Sequence, residues 1–171
     1  MTTQRSLILL RHAQASNPPS GGHDIDRKLT ALGERQAREV GNFLRDQGIE
    51  VDAVVCSSAL RARQTLDQLA LALDPRRVEV SDAYFNAGVD TLLDALRALP
   101  EDCTVALLVG HAPGVPGVAF ELADPDASDA SALTVLERRF PAAAVARLEF
   151  DGDWADLAEA ALAGVRLPEE T

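Results

Sequence analysis

Two histidines and two arginines in this chain are suited to phosphoryl transfer. Arg11 and His12 are adjacent, and a neutral imidazole is a good nucleophile near neutral pH. The neighbouring guanidinium can hold two phosphate oxygens in a fixed geometry. Arg61 supplies a second guanidinium, and His111 an imidazole that can donate a hydrogen bond to a non-bridging oxygen. Together these residue types indicate a phosphate pocket with a histidine nucleophile.

Arg61 lies in the first turn of a predicted helix, where its side chain can reach back toward the strand ends. Ser57 or Ser58 is a good cap for this helix, and a helix N-terminus favours anions. Arg63 lies two residues further on and points to a different face, so we interpret it as a solvated or structural arginine.

Strand and helix patterns alternate along the chain, which indicates an α/β protein. Short apolar runs predict strands at Ser6–Leu10, Val51–Cys56, Arg77–Val80 and Val105–Val109, and a final strand pair at Leu133–Glu137 and Ala144–Phe150. Helical spacing and capping residues predict helices between Thr30 and Gly48, over Ser58–Leu73 and Gly88–Leu99, after Pro113, and from Trp154 to Val165. We therefore expect a single three-layer domain over residues 1–171, with a mostly parallel central sheet and helices on both faces.

Three of the predicted strands run directly into polar residues. Leu10 is followed by Arg11 and His12, Cys56 by two serines, and Val109 by Gly110 and His111. In open α/β sheets, ligands bind beyond the carboxyl ends of the strands. This coincidence predicts that the site lies at that edge of the sheet.

The charge and hydropathy of the chain limit its partners and location. A formal net charge of −11 makes nucleic acid and anionic membranes unfavourable partners. The apolar runs are too short to span a bilayer, and the beginning of the chain has no cleavage-site pattern. We expect a cytoplasmic protein whose partner is a phosphorylated protein or a small phosphorylated molecule.

The histidines and cysteines lack the spacing of a metal or redox site. His12, His23 and His111 include no pair four residues apart. Because the pocket arginines can supply the positive charge, we expect no metal and no cofactor. Cys56 and Cys103 adjoin apolar runs and are interpreted as small buried thiols, and His23 as an exposed loop residue.

The motifs around these residues resemble those of the histidine phosphatase superfamily, also called phosphoglycerate-mutase-like. The first motif is Arg11-His12-Ala13, the second is Ser57-Ser58 followed by Arg61-Ala62 and Thr65, and the third is Gly110-His111. The resemblance runs from about Leu7 to Leu122. The short chain and the segment Asp24–Thr30 are most similar to the SixA-like phosphohistidine phosphatase branch.

The resemblance implies a phosphoglycerate-mutase-like fold and a role for each pocket residue. His12 would be the phosphorylated nucleophile, and Arg11, Arg61 and His111 would bind the phosphate. The sequence departs from the family at two places. Ala13 stands where glycine is usual, and residues 81–86 lack the glutamate that mutase-type members use as a general acid.

The proton donor to the leaving group is left open among Asp24, Asp26 and Asp82. We rank Asp24 first, because its spacing to Arg27 matches the SixA-like branch. A phosphoramidate such as phosphohistidine has a labile P–N bond and depends less on a positioned acid. The absence of an obvious acid or an inserted lid therefore favours phosphohistidine on a protein as the substrate. The alternatives are a small phosphomonoester, or a non-catalytic phosphoprotein-binding domain on the same fold.

Overall fold

The central layer of the computed structural model, which describes residues 2–169, is a six-stranded sheet. Its strands are β1 Gln4–Arg11, β2 Ala53–Ser57, β3 Val78–Ser81, β4 Val105–Gly110, β5 Val145–Asp151 and β6 Ala161–Arg166. They lie in the order β3-β2-β4-β1-β5-β6, and within the described residues only β5 runs antiparallel to its neighbours. The predicted α/β class with a mostly parallel sheet is confirmed.

Helices cover both faces of this sheet. They are α1 Ala31–Asp46, α2 Leu60–Gln68, α3 Val89–Arg97, α4 Gly114–Leu122 and α5 Ala130–Arg138. The helices α1 and α2 pack on one face, and α3, α4 and α5 pack on the other. The described residues thus form the expected three layers, whereas Met1, Glu170 and Thr171 of the predicted domain lie outside them.

Two apolar clusters, one on each face, account for the uniformly apolar strands. Leu7 and Leu9 of β1 belong to the cluster under α3–α5, whereas Ile8 and Leu10 belong to the one under α1 and α2. Successive strand residues point to opposite faces, so a strand covered on both sides must be apolar at every position. Within residues 2–169, no helix combines the length and apolar character needed to cross a bilayer.

The prediction of a strand at Leu133–Glu137 was wrong, because this segment belongs to α5. The Asp129 side chain accepts a hydrogen bond from the Ala132 backbone N–H at 2.8 Å and caps the helix. Ala132 and Leu136, four residues apart, are the buried positions. The predicted partner of this segment does form a strand, β5, which pairs with β1 and β6 instead.

The helix predicted from Trp154 to Val165 was also wrong. Residues 154–156 form a single 3-10 turn, and the Trp154 indole N–H donates to the Cys103 carbonyl at 2.7 Å. The chain then extends into β6 and pairs with β5. Alanine and leucine favour helices in isolation, but the open side of β5 offers backbone hydrogen bonds to this segment, interrupted by a register shift between Arg147 and Leu148.

The second helix is shorter than predicted and ends at Gln68 instead of Leu73. Ala70 has a φ of 51°, a left-handed conformation that terminates the helix. Arg45 of α1 then donates to the carbonyl oxygens of Leu69 and Ala70, at 2.8 and 3.0 Å. These contacts fix α2, and the arginine in its first turn, relative to α1.

Candidate active site

The carboxyl ends of β1, β2 and β4 bring His12, Arg61 and His111 together. His12 directly follows β1, and its backbone N–H donates to the Gly110 carbonyl at the end of β4 at 2.9 Å. The two imidazole rings lie with their centroids 5.2 Å apart, and each residue is only 8% exposed. Side chains 99 positions apart in sequence thus meet because two parallel strands end side by side.

Arg61 bridges the two imidazoles from the first turn of α2. Its Nε lies 3.3 Å from His12 Nε2, and one terminal nitrogen lies 3.3 Å from His111 Nδ1. The side chain is buried and also stacks near the ring of Phe85, at 5.8 Å from the ring centroid. A guanidinium held in this position can offer several N–H groups to one tetrahedral anion.

The hydrogen bonds of His12 determine which ring nitrogen is free to react. Its Nδ1 lies 2.8 Å from the Ala13 carbonyl oxygen, which only accepts, so Nδ1 carries the proton. Arginine only donates, so Nε2 next to Arg61 carries the lone pair. Burial lowers the pKa of His12 to about 3, and nearby His111 and Arg61 act in the same direction. His12 is therefore neutral at physiological pH, with the lone pair of Nε2 facing the pocket.

His111 faces the pocket with one nitrogen and the protein interior with the other. Its Nδ1 is the atom next to Arg61, and its Nε2 lies 2.7 Å from the Ser57 hydroxyl. Burial lowers the pKa of His111 to about 4, with the positive charge of Arg61 as the next cause. Phe85 packs edge-on against this ring at 5.5 Å.

Arg11 extends the positive charge of the pocket. One terminal nitrogen donates to the Phe140 carbonyl at 3.0 Å, whereas its buried Nε has no hydrogen-bond partner among the described residues. Burial and the charge of Arg61 both lower the pKa of Arg11. Two neighbouring guanidiniums, one with an unsatisfied N–H, favour the binding of an oxyanion.

Asp24 is the carboxylate that reaches this pocket. Arg61 donates to its Oδ2 at 3.1 Å and to its carbonyl oxygen at 2.7 Å, and Arg27 donates to its Oδ1 at 3.2 Å. Although desolvation acts to raise the pKa of Asp24, these hydrogen bonds and charges hold it below the ordinary value. Asp24 is thus ionised at neutral pH, with its side chain 54% exposed at the rim.

The other two carboxylates considered as proton donors lie outside this arrangement. Asp26 and Asp82 are exposed in single-turn helices, and within the described part of the chain neither side chain hydrogen-bonds to a pocket residue. His23 is exposed, as expected. Arg63 is exposed too, and its Nε donates to the Ser58 carbonyl at 2.9 Å, which fits a structural role.

Ala13 is fully buried in the apolar cluster under α1 and α2. Its backbone N–H donates to the Thr65 hydroxyl at 3.0 Å, and this hydroxyl donates to the Arg61 carbonyl at 2.7 Å. The threonine thereby ties the segment that follows His12 to the turn that carries Arg61.

The segment after His12 packs against the start of α1, where the loop that carries Asp24 ends. The Thr30 side chain caps α1, and its backbone N–H donates to the Gln14 carbonyl at 3.0 Å. Gly33 allows this approach, because a Cβ there would lie 2.0 Å from the same carbonyl oxygen. The start of α1 and the chain just after His12 are therefore in direct contact.

Within residues 2–169, the cysteines and the metal-binding residue types form no redox or metal site beside this pocket. Both thiols are free and buried, and burial raises the pKa of Cys56 to about 12 and of Cys103 to about 11. Across residues 2–169, no group of three or more histidine, cysteine or acidic side chains is arranged to hold a metal ion. The two thiols are structural.

Three contacts of this site were not predicted from the sequence. They are the Ser57 hydroxyl on His111, the Phe140 carbonyl on Arg11, and the Phe85 ring against Arg61 and His111. For Ser57 a signal was present, since it ends β2 as His111 follows β4, and the two strands are neighbours. The other two depend on loop conformation, for which the sequence has no comparable pattern.

The chain is similar to known phosphatases in sequence and in structure. Residues 7–84 match the family model of the histidine phosphatase superfamily (branch 1). Phosphohistidine phosphatase SixA of Escherichia coli (strain K12) is 32% identical over 119 residues, which cover 68% of this chain and 73% of that protein.

Two solved structures have the same fold. A structure from Nakamurella multipartitia that carries the name phosphohistidine phosphatase SixA superposes with a TM-score of 0.85 at 39% identity, and the alignment covers 96% of both chains. The protein histidine phosphatase SixA complexed with tungstate has a TM-score of 0.70 at 25% identity, covering 86% of this chain and 94% of that one.

Proposed function

Because the chain belongs to the histidine phosphatase superfamily and is a phosphatase, we propose that it removes phosphate from phosphohistidine on a protein, through a phosphorylated His12. The observation that carries this proposal is the Arg61 side chain, which lies 3.3 Å from a nitrogen of each imidazole. A phosphoryl group that displaced these contacts would lie between the nucleophile and the positive charge that stabilises it.

In the first step, His12 Nε2 attacks phosphorus as the P–N bond to the substrate imidazole breaks. The substrate ring leaves as neutral imidazole, because its other ring nitrogen carries a proton taken up from solvent. The oxygens of the transferring group take over the N–H groups that Arg61 directs at the imidazoles, and Arg11 and His111 hold the remaining oxygens. His12 needs no deprotonation, since its Nδ1 proton is on the Ala13 carbonyl and its pKa lies far below neutrality.

In the second step, water attacks phospho-His12 and releases inorganic phosphate. Asp24 can accept the proton of that water because it lies at the rim of the pocket and is ionised there. Arg27 and Arg61 hold its pKa below the ordinary value, so it is a weak base that acts through its position. The same low pKa makes Asp24 a poor proton donor to an alkoxide leaving group. The lack of a protonated donor at the rim favours a phosphoramidate, whose P–N bond is labile, over a phosphomonoester.

The access to the site favours a substrate on a protein over a free metabolite. Asp24 at the rim is more than half exposed. Two of the similar proteins named above are called phosphohistidine phosphatase SixA and protein histidine phosphatase SixA. We further propose a cytoplasmic location, no nucleic-acid or membrane partner, and a reaction that needs no metal, because Arg11 and Arg61 supply the positive charge.

A phosphoenzyme assay tests the nucleophile. The protein is incubated with a histidine-phosphorylated protein, quenched in alkali, and its acid-labile, base-stable phosphate is mapped. We expect the phosphate on His12, its loss in His12→Ala, and no effect of His23→Ala, a matched change of an exposed histidine. Substantial turnover by His12→Ala would contradict the proposed nucleophile.

A substrate panel tests the leaving group. Release of phosphate from the histidine-phosphorylated protein is compared with release from sugar and nucleotide phosphates at equal concentration. We expect kcat/KM to be highest for the phosphoramidate. A preference for any of the phosphomonoesters would redirect the assignment to a small-molecule phosphatase.

A further inference from the structure

Ser57 makes a direct contact with His111 from beneath the pocket. It is the last residue of β2 and is fully buried. Its Oγ lies 2.7 Å from His111 Nε2 and also accepts the backbone N–H of Ala59 at 3.2 Å. No other described residue hydrogen-bonds to this ring nitrogen.

The neighbours of His111 determine where its proton lies. Arg61 can only donate, so its contact with Nδ1 requires a lone pair there. A neutral imidazole has one proton, which must then be on Nε2, and Nε2 donates it to Ser57 Oγ. In the resting pocket, the nitrogen that faces the phosphate position is therefore an acceptor.

A bound phosphoryl group reverses what is needed at that nitrogen. Its oxygens are acceptors, so a lone pair on Nδ1 would repel them, whereas an N–H would stabilise them. We propose that Ser57 is a positioning residue that keeps the Nε2 proton in place, so that His111 takes up its second proton at Nδ1 when the anion enters. The proton comes from solvent and returns to it when phosphate leaves. This inference rests on the proposed function, since it concerns the same phosphate pocket.

The charges around His111 allow this uptake only with an anion present. The groups that act on the ring from the surrounding elements are Arg61, Asp24, Arg11 and Arg27, with His12 in ring contact. Three of these are cations, and burial also opposes a charged ring, so His111 is neutral in the empty pocket. A dianion next to Nδ1 supplies the opposite charge that makes protonation favourable.

Removing the Ser57 hydroxyl is expected to weaken the anion complex and slow phosphoryl transfer. In Ser57→Ala the buried Nε2 proton has no acceptor, so the imidazolium loses one of its two hydrogen bonds. Loss of a hydrogen bond to a charged group corresponds to roughly a tenfold to hundredfold fall in kcat/KM. Ser58→Ala is the matched control, because the neighbouring Ser58 Oγ is buried and has no partner among the described residues.

Nitrogen NMR on ¹⁵N-histidine-labelled protein tests the proton positions without turnover. At pH 7 we expect His111 to carry its proton on Nε2 alone, and to carry protons on both nitrogens after saturation with inorganic phosphate. Ser58→Ala should behave in the same way. Ser57→Ala should show a mixture of tautomers without phosphate and weaker phosphate binding, with thermal unfolding confirming that both variants are folded.

The outcomes separate this inference from the proposed function. A ring protonated on Nδ1 in the empty pocket, or a Ser57→Ala variant with unchanged tautomer and phosphate affinity, would overturn the role of Ser57. Failure to turn over phosphohistidine would instead overturn the proposed substrate, and the NMR result would still decide the position of the proton.

Discussion

Arg61→Lys tests the central contact of the proposed mechanism. Arg61 donates to His12 Nε2, His111 Nδ1, and both the carbonyl and carboxylate oxygens of Asp24. Its guanidinium can present several N–H groups in one plane to a phosphoryl group. A lysine keeps the charge but concentrates its donors on one nitrogen, which cannot contact two separate oxygens in the same fixed geometry.

The size of the effect follows from the number of hydrogen bonds lost. If lysine fails to make two of the bonds to the transferring group, at about 1.5 kcal/mol each for a charged partner, the barrier rises by about 3 kcal/mol. Since about 1.4 kcal/mol corresponds to a factor of ten, kcat/KM falls on the order of a hundredfold. Most of the fall should appear in the single-turnover rate of His12 phosphorylation.

The assay is rapid mixing with a histidine-phosphorylated protein, followed by alkaline quench. Arg63→Lys is the matched control, because Arg63 lies in the same helix but is exposed, and its Nε donates to the Ser58 carbonyl outside the pocket. We expect Arg63→Lys to stay within about twofold of the unmodified protein. A folded Arg61→Lys variant with a rate within about threefold would refute the place of Arg61 in the pocket.

Three further predictions concern the rim, the pH dependence and the fold. Asp24→Asn should slow the hydrolysis of phospho-His12 more than its formation, so that phosphoenzyme accumulates in alkaline-quenched samples. The control Asp26→Asn should not accumulate phosphoenzyme. Equal slowing of both steps by Asp24→Asn would contradict the role of Asp24 as a base. Because the folded-state pKa values of His12 and His111 are about 3 and about 4, both below the ordinary 6.5, the unfolded chain binds more protons between pH 6.5 and 4. The free energy of unfolding should thus be highest above pH 6.5 and fall as the pH drops. Urea unfolding should show a smaller fall for His12→Gln. Parallel curves of unfolding free energy against pH for the two proteins would contradict the contribution of His12. Asp129→Ala removes the cap of α5 and should lower the free energy of unfolding by about 1 kcal/mol. Urea unfolding at pH 7 measures this change. An unchanged urea midpoint would mean that the cap does not stabilise the protein.

The sequence predicts best the strands that are buried on both faces. β1 and β4 are covered by helices on both faces, so their runs at Leu7–Leu10 and Val105–Val109 are apolar throughout and can be recognised without knowing their partners. The errors at residues 133–137 and 154–165 lie toward the end of the chain, where helix and strand patterns are ambiguous. The helix depended on the local cap at Asp129, which the strand prediction overlooked, whereas β6 depended on pairing with β5, which is a tertiary contact.

The same distinction applies to the site. His12 and His111 could be placed because the ends of parallel strands meet at one edge, so backbone topology alone brings them together. The proton positions could not be predicted, because they depend on which atoms lie within about 3 Å of each ring nitrogen. The carbonyl of Ala13 and the hydroxyl of Ser57 decide them, and both are residues whose type alone suggests no such role.

From the acidity of the whole chain and the basicity of this pocket, we expect a single phosphoryl group to bind better than a nucleic acid. Carboxylates that give the chain its net charge of −11 act at long range and are screened beyond about 8 Å at physiological ionic strength. The N–H groups of Arg61 act at about 3 Å on a group that has displaced water, where screening is weak. A single phosphoryl group on a side chain can therefore pass the screened exterior and gain the full short-range attraction. A nucleic acid, with a charge about every 1.7 Å along its axis, would bring many phosphates against the acidic surface for each one that reached the buried arginine.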